Sequence, residues 1–397
     1  MTSLSEKVDK IQESQTIAIT SLAKKLRAEG KNVISLSAGE PDFPTPENVK
    51  QAAIKAIQDN FTKYTQNEGI PELREAIADK FRRENGIEVK ASNILVSNGG
   101  KHSLFNALQT ICNPGDEVII PSPYWVSFPE MVKLADGVPV ILHTSEEKGF
   151  SFDASDVEPL ITPKTKAIII NTPSNPTGTV VSEANLRGIA RLAKEKNFFI
   201  ISDEIYEKIV YDGNRHFSVG SIGDVRDNVI TASGVSKAYS MTGWRIGFIA
   251  ASEEIIKRAA KIQSQVTSNA SSISQAAALE ALRGPQADVE KMRLAFEKRR
   301  DVLLARLSKI PGFRVTKPGG AFYFFPSVKG LIGKNYNGRT LRTSNDVVEF
   351  ILAEAQVALV PGAAFGSDEH VRISYAYSEK ELTEAAERIA LAVEKLR

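Results

Sequence analysis

The 397-residue chain holds one cysteine, Cys112, so no disulfide can form within it. Its four histidines, His102, His143, His216 and His370, are scattered without zinc-site spacing. A reducing compartment and no structural metal are therefore expected. Charge of one sign is also missing: 50 Lys and Arg stand against 48 Asp and Glu, a formal net charge of +2, with no long block of like charge. That balance excludes the footprint of a dedicated nucleic-acid binder. No apolar run reaches the length of a membrane span, and the polar opening MTSLSEKVDKIQESQ is unlike a secretory signal. No membrane association is expected, and the cytoplasm is the expected location. Neither GxxxxGK[ST] nor GxGxxG occurs, which argues against a nucleoside triphosphate or a dinucleotide.

What is present is ordinary for a globular chain: 42% hydrophobic and 25% charged residues, with length for two or three domains. From about residue 94, short β-branched runs (ILVSN, EVIIP, VPVILH, KAIIIN, FFIISD) alternate with amphipathic stretches such as KHSLFNALQTIC and LRGIARLAKEK. The rhythm is α/β. Runs apolar at consecutive positions suit strands covered on both faces, so the sheet should be mainly parallel, extending through NVITAS and RIGFIAA to about residue 250. Beyond it, a long charged helix over DVEKMRLAFEKRRDVLLARLSK leads into GFRVTKPGGAFYFFPSV, VVEFILAEA, VALVPG, VRISYA and a last amphipathic helix. These predict a smaller α+β domain. The first 45 residues, proline-rich after VISLS, should pack against it. The expected division is 46–290 for the large domain, with 1–45 and 291–397 forming the small one.

Five segments follow predicted strands. SGVSKAYSMTGWRIG (233–247) carries Ser236, Lys237 and Arg245, although a lone lysine beside small residues is most often a solvated one. SDEIYEKIVY puts Asp203 at the end of a buried strand with Tyr206 three residues on, where α/β sheets bind ligands, or where a helix is merely capped. NTPSNPTG carries Asn175 in what is otherwise a common turn. SNGGKHSL links a strand to a helix, so backbone N–H groups near Gly100 and Lys101 can hold an anion. PSPYWVSFPEM places Trp125 at the same rim, where core packing is the plain alternative.

In order and spacing, from SAGEPDFPTP (37–46) to VRISYA (371–376), these segments resemble the class I, fold-type I aminotransferases that depend on pyridoxal 5'-phosphate (PLP). YTQNEGIPELREAIADKF and MTGWRIG make the chain similar to the bacterial aspartate aminotransferases of that family, which often also transaminate prephenate. The resemblance implies a seven-stranded, mainly parallel sheet flanked by helices, with the smaller α+β domain beside it. It also implies a ping-pong exchange between amino acids and 2-oxoacids through PLP and pyridoxamine phosphate.

The resemblance further implies a role for each residue. Lys237 matches the lysine that holds the cofactor as an imine and shuttles the proton, and Asp203 matches the anion that keeps the ring nitrogen protonated. Asn175 and Tyr206 match the pair bonded to the phenolic oxygen, and Trp125 the aromatic stacked on the ring. Arg245, Ser236 and the backbone at Gly100 and Lys101 match the phosphate donors. Many relatives carry a serine where this chain has Gly234, which leaves Ser233 as a substitute donor. Tyr64 matches a tyrosine that reaches the phosphate of a neighbouring subunit, implying a homodimer with shared sites. Arg372 matches the α-carboxylate arginine, and Gly39 supplies a backbone donor. The segment QVTSNASSISQ (264–274) lacks the distal-carboxylate arginine of animal-type enzymes, so Lys101 and then Gln12 are the candidates for that task. Two rival functions share most of these residues: a PLP lyase acting at the β or γ carbon, such as a C–S lyase, and a non-catalytic PLP-binding regulatory module.

Overall fold

The computed structural model describes residues 4–13 and 15–397. Seven strands form the large sheet: β1 (Ile94–Ser97), β2 (Glu117–Ser122), β3 (Val138–His143), β4 (Thr165–Asn171), β5 (Phe199–Asp203), β6 (Val229–Gly234) and β7 (Gly247–Ala250). Their order is β1-β7-β6-β5-β4-β2-β3, and all pairings are parallel except those of β7, which runs antiparallel to both neighbours.

The consecutive apolar runs follow from this arrangement. Side chains alternate across a strand, so each run must satisfy two helical layers. Ile168, Ile170 and Ile200 pack with Leu186, Ile189 and Ala193 of the helix Glu183–Lys196. Ile169, Ile201 and Ile230 face the other way, onto Leu104 and Leu108 of the helix Gly100–Ile111 and Ile256 of Glu253–Val266.

The parallel strands end along one rim, at Ser97, Ser122, Asn171, Asp203 and Gly234, and β7 begins there at Gly247. Close approach at this rim requires glycine. A Cβ on Gly247 would stand on the backbone of Gly99 and Gly100, bringing β7 hard against the start of helix Gly100–Ile111. Gly234 meets a similar limit at the Ile246 carbonyl and the Gly247 Cα, so the serine of many relatives would not fit here without a backbone shift.

The C-terminal residues build a second core. Strands Tyr323–Phe324, Val360–Pro361 and Val371–Ser374 form an antiparallel sheet with Val371–Ser374 at its centre, covered by helices Ala287–Leu307, Ser344–Ala355 and Glu379–Val393. An N-terminal segment joins it: Ile34–Ser35 pairs in parallel with Val357–Ala358. Arg299 then clamps Asp42 through two bonds of 2.7 and 2.9 Å, fixing the turn that carries Gly39. Helix Gln15–Ala28 lies across the same segment, with Thr20 bonded to Ser37 at 3.0 Å.

Candidate active site

A cavity of about 280 Å³ opens at the rim where the strands end. Gly39, Gly100, Lys101, Trp125, Asn175, Asp203, Tyr206, Ser236, Lys237, Arg245 and Arg372, each singled out from the sequence, all border it. Residues from three distant parts of the chain thus face one space.

Lys237 follows β6, and its ammonium donates to the Gly39 carbonyl at 2.5 Å. Burial pushes its pKa down to about 8; Glu40 and Asp203 oppose this, while Arg372 and Arg245 add to it. A lysine so placed loses its proton near physiological pH, as a nucleophilic amine requires.

Asp203 closes β5 and is 5% exposed. Burial raises its pKa to about 7; the Ile205 N–H, 3.2 Å from Oδ1, works against the rise, and neighbouring Glu204 adds to it. Among the described residues no cation forms an ion pair with it, and the nearby Lys237 ammonium only partly offsets its burial. A buried carboxylate with so little compensation suits a cationic N–H partner, which would restore its ionised form.

Arg372 sits on the central strand of the small sheet, 2% exposed. It donates to Asn175 Oδ1 at 3.0 Å and to the Ser37 carbonyl at 2.6 Å, and its guanidinium lies between the rings of Tyr323 and Phe365, 4.7 and 4.9 Å from their centroids. Its Nε has no partner, and burial holds its pKa below the usual value. A buried guanidinium without a carboxylate among the described residues matches a planar anion approaching from the cavity.

The opposite end is cationic too. Arg245 has a left-handed backbone (φ 54°) and donates to the Thr242 carbonyl at 2.9 Å, its guanidinium over Gly99. Lys101 lies 5.0 Å above the Trp125 ring, its pKa lowered by burial and by Arg245. Both stand at the start of helix Gly100–Ile111, whose first turn has no side-chain cap. Free N–H groups, a helix N-terminus and two cations converge where a phosphate dianion would fit.

Other sequence expectations fare differently. The Ser233 hydroxyl does not substitute for a phosphate donor: it donates to Glu207 at 2.9 Å, because its side chain leaves β6 on the opposite face from the cavity. Gln12 is exposed, its backbone N–H bonded to Glu130 at 3.0 Å; it borders an adjoining hollow that it shares with Lys101, not the main cavity. Tyr64 is 92% exposed and away from its own chain's cavity.

Thr16, Ile17, Asn171 and Tyr323 also border the cavity, and no sequence signal singles them out. Tyr323 lies in the aromatic run AFYFF, where nothing separates it from core residues. Behind the rim lies a buried polar cluster that no sequence motif announces. Glu207 accepts from Lys80, from Asn85 at 2.6 Å and from Ser233, while Glu204 meets His216 at 2.8 Å. Burial alone would raise the Glu207 carboxyl, but Lys80 and His216 outweigh it and hold the pKa at about 2.

Comparison with known proteins agrees with this geometry. Residues 31–389 match the model of the family described as aminotransferase class I and II. The chain belongs to that family. An aspartate aminotransferase of Bacillus sp. (strain YM-2) is 48% identical over 387 residues, covering 97% of this chain and 98% of the relative. A protein named "Probable aspartate/prephenate aminotransferase" from Rickettsia bellii is 48% identical, with 99% of both chains covered. Among solved structures, the aspartate aminotransferase from Rhizobium meliloti superposes with a TM-score of 0.96 at 44% identity over the whole of both chains. The Thermus thermophilus enzyme with maleate gives 0.94 at 45% identity, covering 99% of this chain and 100% of that one. The aminotransferase family is generally PLP-dependent, and its substrates are amino acids and 2-oxoacids. No helix among the described residues is long and apolar enough to cross a membrane.

Proposed function

We propose that this aminotransferase binds PLP at Lys237 and moves amino groups between aspartate or glutamate and the corresponding 2-oxoacids, oxaloacetate and 2-oxoglutarate, with prephenate as a further acceptor. The observation that carries the reading is the pairing of unmet charges in one cavity with Lys237: a buried Asp203 that no ion pair neutralises and a buried Arg372 without an anion.

PLP, when bound, supplies an electron sink for the substrate α-carbon and carries the amino group between half-reactions. Asp203 would meet its ring nitrogen, Tyr206 and Asn175 its phenolic oxygen, and Trp125 its ring face. Arg245, Ser236 and the backbone at Gly100 and Lys101 would hold its phosphate. Lys237 moves the proton at the α-carbon, for which a pKa near 8 is well matched. Arg372 and Gly39 orient the α-carboxylate. Lys101 and, from the adjoining hollow, Gln12 would meet a distal carboxylate.

The functional unit in this reading is a homodimer. Tyr64, 92% exposed, would reach the partner's phosphate. The division into 46–290 and 1–45 with 291–397 belongs to the same proposal, supported by the second core around Phe296, Tyr323 and Ile373. So does a cytoplasmic location, for which a single cysteine, Cys112, unable to form a disulfide within the chain, is the support.

The test is a screen of amino donors and 2-oxoacids, prephenate included, with wild-type protein and Lys237→Ala. Stoichiometric amino transfer that depends on a 2-oxoacid and disappears in the variant is the expected result. Pyruvate and ammonia released from a single substrate would instead mark a lyase, and near-normal turnover without Lys237 would sink the mechanism.

A further inference from the structure

The hydroxyls of Tyr206 and Tyr323 stand 2.8 Å apart, both residues buried, at 3% and 0% exposure. Tyr323 is held firmly. Its strand pairs with the strand that carries Arg372, with Phe324 opposite Ile373 and Tyr323 opposite Ser374. Its ring lies 4.7 Å beneath the Arg372 guanidinium and meets the Tyr206 ring edge-on, at 5.8 Å and 83°. Its hydroxyl presses on Gly39, where a Cβ would leave it no space.

A hydroxyl has one proton to give. Among the described residues, Tyr206 is the one hydrogen-bond partner of the Tyr323 hydroxyl. If Tyr206 donated to Tyr323, it would have no proton left for the cavity. If Tyr323 donates, the Tyr206 proton points inward and its bond is strengthened, because a hydroxyl that accepts one hydrogen bond becomes a better donor in another.

We propose that Tyr323 is a positioning residue that donates to the Tyr206 hydroxyl, thereby fixing and strengthening the bond Tyr206 gives to the phenolic oxygen of the cofactor. The inference rests on the reading of the cavity as a PLP site. Its consequence is electrostatic. A stronger bond from Tyr206 favours the anionic phenolic oxygen and so lowers the pH at which the visible absorption of the loaded protein changes.

The experiment titrates that band in PLP-loaded protein without substrate. Tyr323→Phe should move the midpoint up by about 0.1 to 0.6 pH unit, a roughly 1.3- to fourfold change in the proton equilibrium, as expected when a charge-assisted hydrogen bond loses about a tenth to a third of its strength. Placing 3-fluorotyrosine at position 323, nearly the same shape but more acidic, should move the midpoint down and serves also if the Phe variant folds poorly. In a Tyr206→Phe background neither change should move it. An unmoved midpoint in both single variants, or equal shifts with and without the Tyr206 hydroxyl, would overturn the inference. A wild-type chain that gains no visible band with PLP would overturn the reading of the cavity itself and take the inference with it.

Discussion

The guanidinium of Arg245 fills the space that a Cβ on Gly99 would need, and Gly99 itself has a φ of 91°. The glycine is thus fixed twice, by its backbone and by the cation above it.

Gly99→Ala should therefore weaken both cofactor binding and folding. Displacing the end of the Arg245 side chain removes a charge-assisted contact of about 1.5 to 3 kcal/mol, a loss of roughly ten- to a hundredfold in PLP affinity. The backbone at φ 91° and ψ 160°, a region essentially reserved for glycine, costs about 1 to 3 kcal/mol of stability besides. Fluorescence titration with PLP and thermal unfolding of the unloaded protein read the two effects separately. Unchanged affinity would show that Arg245 does not hold the phosphate.

Ser233→Ala should do the reverse. Its hydroxyl serves Glu207, which keeps Lys80 and Asn85, so the change should cost about 1 kcal/mol in denaturant unfolding. PLP affinity should stay within twofold. A large fall in affinity would mean that Ser233 reaches the phosphate after all.

Asp203 should give the unloaded protein a distinct pH dependence. Its pKa rises from the usual 3.8 to about 7, so between these values the folded state holds a proton that the unfolded state has released. Stability then falls as pH rises through that window, by up to about 1.4 kcal/mol per pH unit. Asp203→Asn should remove this slope, as should loading wild-type protein with PLP, whose ring nitrogen stabilises the carboxylate. In the loaded enzyme, Asp203→Ala should slow transamination by several orders of magnitude. Equal slopes for wild type and Asp203→Asn, from melts across pH 4 to 8, would contradict this assignment.

Lys101→Ala tests substrate choice. If its ammonium meets the distal carboxylate, kcat/KM should fall by at least tenfold more for aspartate than for alanine or an aromatic donor. An equal fall for all donors would restrict Lys101 to its backbone contact with the phosphate.

The residues that sequence revealed share a position. Lys237, Asp203, Asn175, Gly100 and Trp125 all follow apolar β-branched runs, and a strand end in a parallel sheet marks a binding rim before any coordinates are known. Tyr323 gives no such sign, because its strand is two residues long and its neighbours are aromatic whether they face the core or the cavity. The Lys80, Glu207 and His216 cluster was hidden for another reason. Charged residues at those spacings suggest solvated surface, and only the tertiary fold shows that Lys80 is 2% exposed and compensated. Ser233 illustrates a third limit: neighbouring residues on a strand point to opposite faces, so one position decides between the cavity and the cluster behind it.

The bond from Arg372 to the Ser37 carbonyl spans 335 positions of the chain. At about 5 to 20 residues per second, a ribosome makes the acceptor roughly 20 to 70 seconds before its donor. Every residue assigned to the phosphate within one chain, from Gly100 to Arg245, has been translated well before Arg372. During synthesis, the pocket proposed for the cofactor can therefore be assembled while the clamp proposed for the substrate does not yet exist, and the order of translation becomes an order of assembly.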